Sequence, residues 1–188
     1  DMLTPDSLAY MAFGEFMTRD NHYQYGTCNQ TINYNANGGA DDWMYGEQTT
    51  KAKVFGFTPE IGTGSDGFWP PINRIIPICQ DNIIQNLSAA MLSGPYAICN
   101  DLSPQLVNNI NSVAKFSVKR LGLTDSATYT ISLIPVSSNI LNVGNPITIS
   151  NLPILASITD SIPYKLSTSV KFGDEIVYII NIDNGLYA

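Results

Sequence analysis

The spacing of apolar and polar positions changes once along the chain. Up to Gly94 the apolar residues recur mainly at helical intervals, and beyond Pro95 they alternate. Leu8, Met11, Ala12 and Phe16 predict a helix with one buried face. Thr4 can cap it, Pro5 suits its first position and Asp6 complements its positive end; it should end near Thr18. Residues 25–34 (YGTCNQTINY) predict an extended segment, and NANGG after it a sharp reversal, because glycine accepts positive φ. Asp41 and Asp42 then open a short helix through Tyr45. Lys51 to Glu60 predicts a strand whose apolar content is Val54, Phe55 and Phe57. Pro59 cannot donate to a ladder, so it belongs at an edge or end, and Glu60 falls where the strand runs out. Ile76, Ile83, Ile84, Leu87 and Met91 predict a long amphipathic helix closed by Gly94 and followed by Pro95.

Past that boundary the period is two. Ala114, Phe116 and Val118 alternate with Lys115, Ser117 and Lys119, and Ala127, Tyr129, Ile131 and Leu133 with Thr128, Thr130 and Ser132. Tyr164, Leu166 and Val170 alternate with Lys165, Ser167 and Ser169. Ile147–Ile149 and Ile176–Ile182 are further strands, the second apolar on both faces and so expected at the centre of a sheet. Turns at Gly122–Asp125, Gly144-Asn145 and Gly173-Asp174 fall at the intervals of an all-β sandwich. Two modules are therefore expected, 1–94 and 95–188, with no repeat between them.

Charge sharpens the division. The formal net charge is −7, which disfavours nucleic acid or an anionic membrane surface as partner. Residues 1–94 hold ten acids and four bases, whereas residues 95–188 hold six and five. No apolar run approaches the roughly 20 residues that span a bilayer, so no transmembrane segment is expected. The opening DMLTPD has neither the basic start nor the apolar core of a secretory leader, and does not begin with Met, so it reads as a cut end. Cys28, Cys79 and Cys99 have no metal-like spacing and are odd in number, which predicts buried free thiols. Asn29-Gln30-Thr31 and Asn86-Leu87-Ser88 match the glycan acceptor pattern, a match frequent by chance.

Several spaced features recur in order between Tyr34 and Pro71: Tyr34, Gly38-Gly39, Asp42-Trp43 with Tyr45, Thr58-x-Glu60, and Gly67-Phe68 followed by Pro71. Together they resemble the C-terminal active-site region of the zinc carboxypeptidases, the family of the pancreatic A and B enzymes. Pro71 to Pro77, with Ile75-Ile76 before the second proline, resembles the segment that leads into that family's last long helix. The resemblance covers about residues 3–93. It implies an α/β fold for residues 1–94, the C-terminal portion of a mixed sheet with helices. It also implies hydrolysis of C-terminal residues from peptides, in a secreted or cell-surface protein of bacterial type.

The resemblance assigns roles residue by residue. Glu60 matches the general base that takes a proton from a zinc-bound water and passes it to the leaving amine; its alternative is a surface glutamate at a strand end. Tyr34 matches the mobile tyrosine that meets the substrate carboxylate and the scissile amide; otherwise it packs over its loop. Asp41 resembles the base of the specificity pocket, where an acid attracts Lys or Arg side chains, and equally reads as a helix-end charge. Thr58 resembles a pocket-floor residue or is a strand-surface threonine. His22 is the single histidine, in a polar connector without a ligand-spaced partner, and reads as a solvated imidazole. No metal ligand is assigned: the H-x-x-E pair and distant His of the family, like its carboxylate-clamping arginines, would lie upstream, so zinc is expected in the complete enzyme and not in this segment. The implied partners are peptide or protein C-termini and the missing N-terminal part of the peptidase domain. A non-catalytic binding or structural module that retains a peptidase-like segment is the alternative function.

Overall fold

The computed structural model describes residues 3–186. The chain divides into two compact units between Ala90 and Met91. The first contains helices α1 (Ser7–Met17), α2 (Cys28–Thr31), α3 (Ala40–Gly46), α4 (Ile72–Asp81) and most of α5 (Ile83–Ser93). The second contains β1 (Ala97–Asp101), β2 (Asn111–Arg120), β3 (Thr128–Pro135), β4 (Ile140–Val143), β5 (Ile147–Ser150), β6 (Ser157–Leu166) and β7 (Tyr178–Asp183).

In the second unit two antiparallel sheets form, ordered β1-β2-β6-β4 and β5-β3-β7. Alternation decides which residues they bury. Ala114, Phe116 and Val118 of β2, Tyr129, Ile131 and Leu133 of β3, and Ile162, Tyr164 and Leu166 of β6 join one apolar cluster. Lys115 and Ser117, on the opposite side of the pleat, stay outside it. The Arg120 side chain is buried at the end of β2, where it donates to the carbonyls of Gly122 at 2.8 Å and Leu152 at 2.9 Å and pairs with Asp125 at 2.9 Å. Those three partners satisfy a cation that burial alone would penalise. β7 is an edge strand, not the central one its apolar run predicts. Ile180 and Ile182 pack against the core while Ile179 is exposed, so a half-buried edge explains the composition.

The first unit departs further from expectation. The predicted strand Lys51–Glu60 is not part of any sheet: no residue from 3 to 96 is in a strand, so the mixed sheet expected there is not formed. Apolar and β-branched residues fit a pleated surface, and a strand needs a neighbour to complete its ladder. Here the segment hangs on the Val54 N–H, which donates to the Met44 carbonyl at 3.1 Å, and on its aromatic side chains. The extended segment expected at 25–34 contains α2, whose Thr27 hydroxyl accepts from the Gln30 N–H while the Gln30 side chain accepts from the Thr27 N–H. This Thr-x-x-Gln capping box outweighs the local β-branched character.

α1 begins after Asp6, not Thr4, because the Asp6 carboxylate is drawn to Lys53 and Tyr45 and leaves the helix end to backbone bonds. Its buried residues are Ala9, Phe13, Gly14, Phe16 and Met17; Leu8 and Met11 are exposed. The long helix is two helices that break at Asn82, whose side-chain Nδ2 donates back to the Ile78 carbonyl at 2.8 Å. Cys28 and Cys79 are exposed and Cys99 is half-buried, against the expectation of buried thiols: the first two lie on the outer faces of α2 and α4.

Candidate active site

Two glycines start the site. Gly38 has φ +73°, which lets the chain reverse after Tyr34, and α3 begins two residues later. Asp42 Oδ2 accepts from the N–H of Gly38 at 2.7 Å and of Gly39 at 3.2 Å, so the carboxylate holds the turn and complements the helix start. At the other end of α3 the Lys51 ammonium donates to the carbonyls of Met44 and Glu47, groups that lack helical partners. The Glu47 carboxylate accepts from Thr49 and Thr50. These bonds, the Thr49 hydroxyl first, bring its pKa down to about 2. The return loop is thereby tied before the extended segment begins.

Residues 54–58 then alternate. Phe55 and Phe57 meet Tyr10 at ring-centroid distances of 5.0 and 5.2 Å, and Phe55 also meets Phe13 at 5.3 Å, edge-on. The intervening positions approach α3. The Thr58 hydroxyl donates to Asp41 Oδ2 at 2.5 Å. Gly56 keeps the approach close: a Cβ there would lie 3.1 Å from the Asp41 Cα and press on α3. The structure therefore brings Asp41 and Thr58 together, seventeen residues apart in sequence. Glu60 lies two residues further on, exposed. Tyr34 is 60 % exposed on the loop before the glycine turn. Among the described residues neither Tyr34 nor Glu60 has a hydrogen-bond partner, which leaves both free to meet a ligand.

What fixes the chain just past Glu60 was not visible as a site in the sequence. The Gly62 N–H donates to the Tyr23 hydroxyl at 2.8 Å. Thr63 N–H and Oγ1 both donate to Asp66 Oδ2, at 2.9 and 2.8 Å, and Arg74 grips the same carboxylate through Nε at 2.7 Å and a terminal nitrogen at 3.2 Å. Arg74, then the Thr63 bonds, hold the Asp66 carboxyl well below the usual range. The polar connector around His22 turns out to be a seam. Asn21 donates to Gln85 at 2.8 Å and Arg19 to Ser88 at 2.6 Å, and Tyr23 lies within 3.4 Å of Asn82. Asn82, at the break, and Gln85 and Ser88 of α5 are three apart in sequence, and all three are buried. His22 itself is exposed with φ 56°. The sequence signal for the seam was the spacing of Asn82, Gln85 and Ser88, three apart among Ile83, Ile84 and Leu87.

A zinc site is not assembled from these residues. No group of three or more His, Cys, Asp or Glu with metal-binding geometry occurs among the described residues, and the residues present do not fit a catalytic zinc, which takes three protein ligands. No described helix is long and apolar enough to cross a membrane.

Compared with known families, residues 6–85 match the family model described as zinc carboxypeptidase. The match takes in Tyr34, Asp41, Thr58, Glu60 and the Asp66–Arg74 pair, and covers less than half of the chain. Neither a curated protein nor a solved structure matches the chain.

Proposed function

We propose that residues 1–94 are the C-terminal part of a metallocarboxypeptidase domain, which in the complete protein removes C-terminal residues from peptides and proteins, and that residues 95–188 are a β-sandwich accessory domain. The observation that carries this reading is the Asp41–Thr58 contact with Glu60 exposed beside it, on a segment similar to the zinc carboxypeptidases. In this reading Glu60 is the general base. Its carboxylate takes a proton from the attacking water and returns it to the leaving amine, a role that requires an exposed group free of competing partners. Tyr34, on a loop hinged at Gly38, swings toward the substrate and helps exclude water. Asp41 and Thr58 form the floor of the specificity pocket, where an acidic side chain held by a neutral hydroxyl favours Lys or Arg at the substrate's end.

Zinc belongs to the complete enzyme, with ligands outside this segment. The exposed stripe of Ile76, Ile83 and Leu87 supports a covering partner, which we assign to the N-terminal part of the peptidase domain. The two antiparallel sheets with one shared core support the sandwich reading of the second unit. A secreted or cell-surface location, in a protein of bacterial type, accompanies the carboxypeptidase reading.

The test is made on the complete enzyme. Glu60→Gln should lower kcat by at least about a hundredfold while zinc content is unchanged. Retention of near wild-type turnover in that variant would remove Glu60 as the base. Asp41→Ile should shift kcat/KM from basic toward apolar C-terminal residues. An unchanged Lys-to-Leu ratio would make Asp41 a helix-end charge only.

A further inference from the structure

The chain contains two Asn-Gly steps, Asn37-Gly38 and Asn184-Gly185. We propose that Asn37 is a site of spontaneous deamidation to aspartate and isoaspartate in the folded protein, and that Asn184 is protected. The chemistry is intramolecular. The Gly38 nitrogen forms a bond to Asn37 Cγ, the Cγ–Nδ2 bond breaks, and the displaced nitrogen takes up the lost N–H proton and leaves as ammonia. Water then opens the resulting succinimide at either carbonyl, giving aspartate or isoaspartate, with no change of oxidation state.

The two steps share most of what this reaction needs. A Cβ built at Gly38 or at Gly185 meets nothing within 4 Å, so both have room for the ring. Both glycine N–H groups donate to a carboxylate at 2.7 Å, Gly38 to Asp42 and Gly185 to Asp183, so each nucleophile has an acceptor for its proton. The side chains differ. Asn184 Nδ2 donates to the Pro95 carbonyl at 2.9 Å and its Oδ1 accepts from the Leu186 N–H at 3.0 Å, so its amide is held at both ends. Asn37 is exposed and has no hydrogen bond among the described residues. Its Cγ can swing onto the Gly38 nitrogen without breaking anything, whereas Asn184 must first lose two bonds to reach the same near-attack geometry. The site depends on no enzymatic role for the chain, yet its product would insert an extra main-chain carbon into the turn that delivers Asp41.

The experiment is to age the full chain at mildly alkaline pH and map both peptides by mass spectrometry, with isoaspartate methyltransferase as the specific label. Conversion at Asn37 should run at least about tenfold faster than at Asn184, the factor expected from two retained hydrogen bonds. In concentrated urea the two rates should converge, because the tether at Asn184 exists only in the folded state. Asn37→Gln should abolish the early label. Equal rates in the native protein, faster conversion at Asn184, or a rate ratio that urea leaves unchanged would each overturn the proposal.

Discussion

Asp66 shows how a single residue can hold a loop that its own sequence neighbourhood does not announce. Its carboxylate accepts from Thr63 twice and from Arg74 twice, and the folded state lowers its pKa. A depressed carboxylate pKa stabilises the fold above the unfolded value near 3.9 and ceases to do so as pH falls through the folded value. Urea midpoints of the first unit should therefore fall between about pH 5 and pH 2, and Asp66→Asn should flatten that fall while lowering stability at neutral pH. An acid limb as steep in the variant as in the wild type would assign the pH dependence elsewhere. Local motif order in the sequence pointed to Asp41, Thr58, Glu60 and Tyr34, and the structure joins the first two. Tyr23, Asp66 and Arg74 were not legible, because Tyr23 meets Gly62 thirty-nine residues away and no period links such positions.

For elements, legibility followed the presence of a partner. The alternation in β2 and β3 identified buried residues correctly because both strands find neighbours and a shared core. Lys51–Glu60 has two aromatics against one in each of those strands, but no ladder, so it stays outside any sheet. α2 was missed although Thr27 and Gln30 signalled it. Thr27→Ala should cost about 1 kcal/mol of local stability, seen as faster amide exchange at residues 28–31; unaltered exchange would mean that the box does not hold the helix. Gly122 is the sharper case. A Cβ there would sit 2.1 Å from the Gly94 carbonyl oxygen and 2.2 Å from the Tyr96 nitrogen, both backbone atoms that cannot turn aside. Gly122→Ala should destabilise the second unit by about 3 kcal/mol, and a melting temperature within error of wild type would mean that β1 can shift freely.

At the scale of the whole chain, the period change near Gly94 and the compact units speak to the same question by different means, and expression decides it. Residues 91–188 alone should give a protein that unfolds in one cooperative step, because Leu92 is buried and its carbonyl accepts from the Leu123 N–H. Aggregation of that product, or a broad non-cooperative melt, would show that the sheets need the preceding residues. The first unit was the less legible one, since α5 turns Gln85 and Ser88 inward where the sequence offered an apolar stripe.

The buried polar seam of Asn82, Gln85 and Ser88 has a calorimetric consequence. Exposure of apolar surface raises heat capacity on unfolding and exposure of polar surface lowers it. Among the described residues, five buried apolar side chains lie in the first unit and sixteen in the second. The Asn82–Gln85–Ser88 seam adds hydration of the opposite sign when the first unit opens. The heat-capacity increment of the chain should therefore reside almost wholly in residues 91–188. The first unit should have a shallow stability curve that changes little on cooling, while the sheets follow a curve with a distinct maximum.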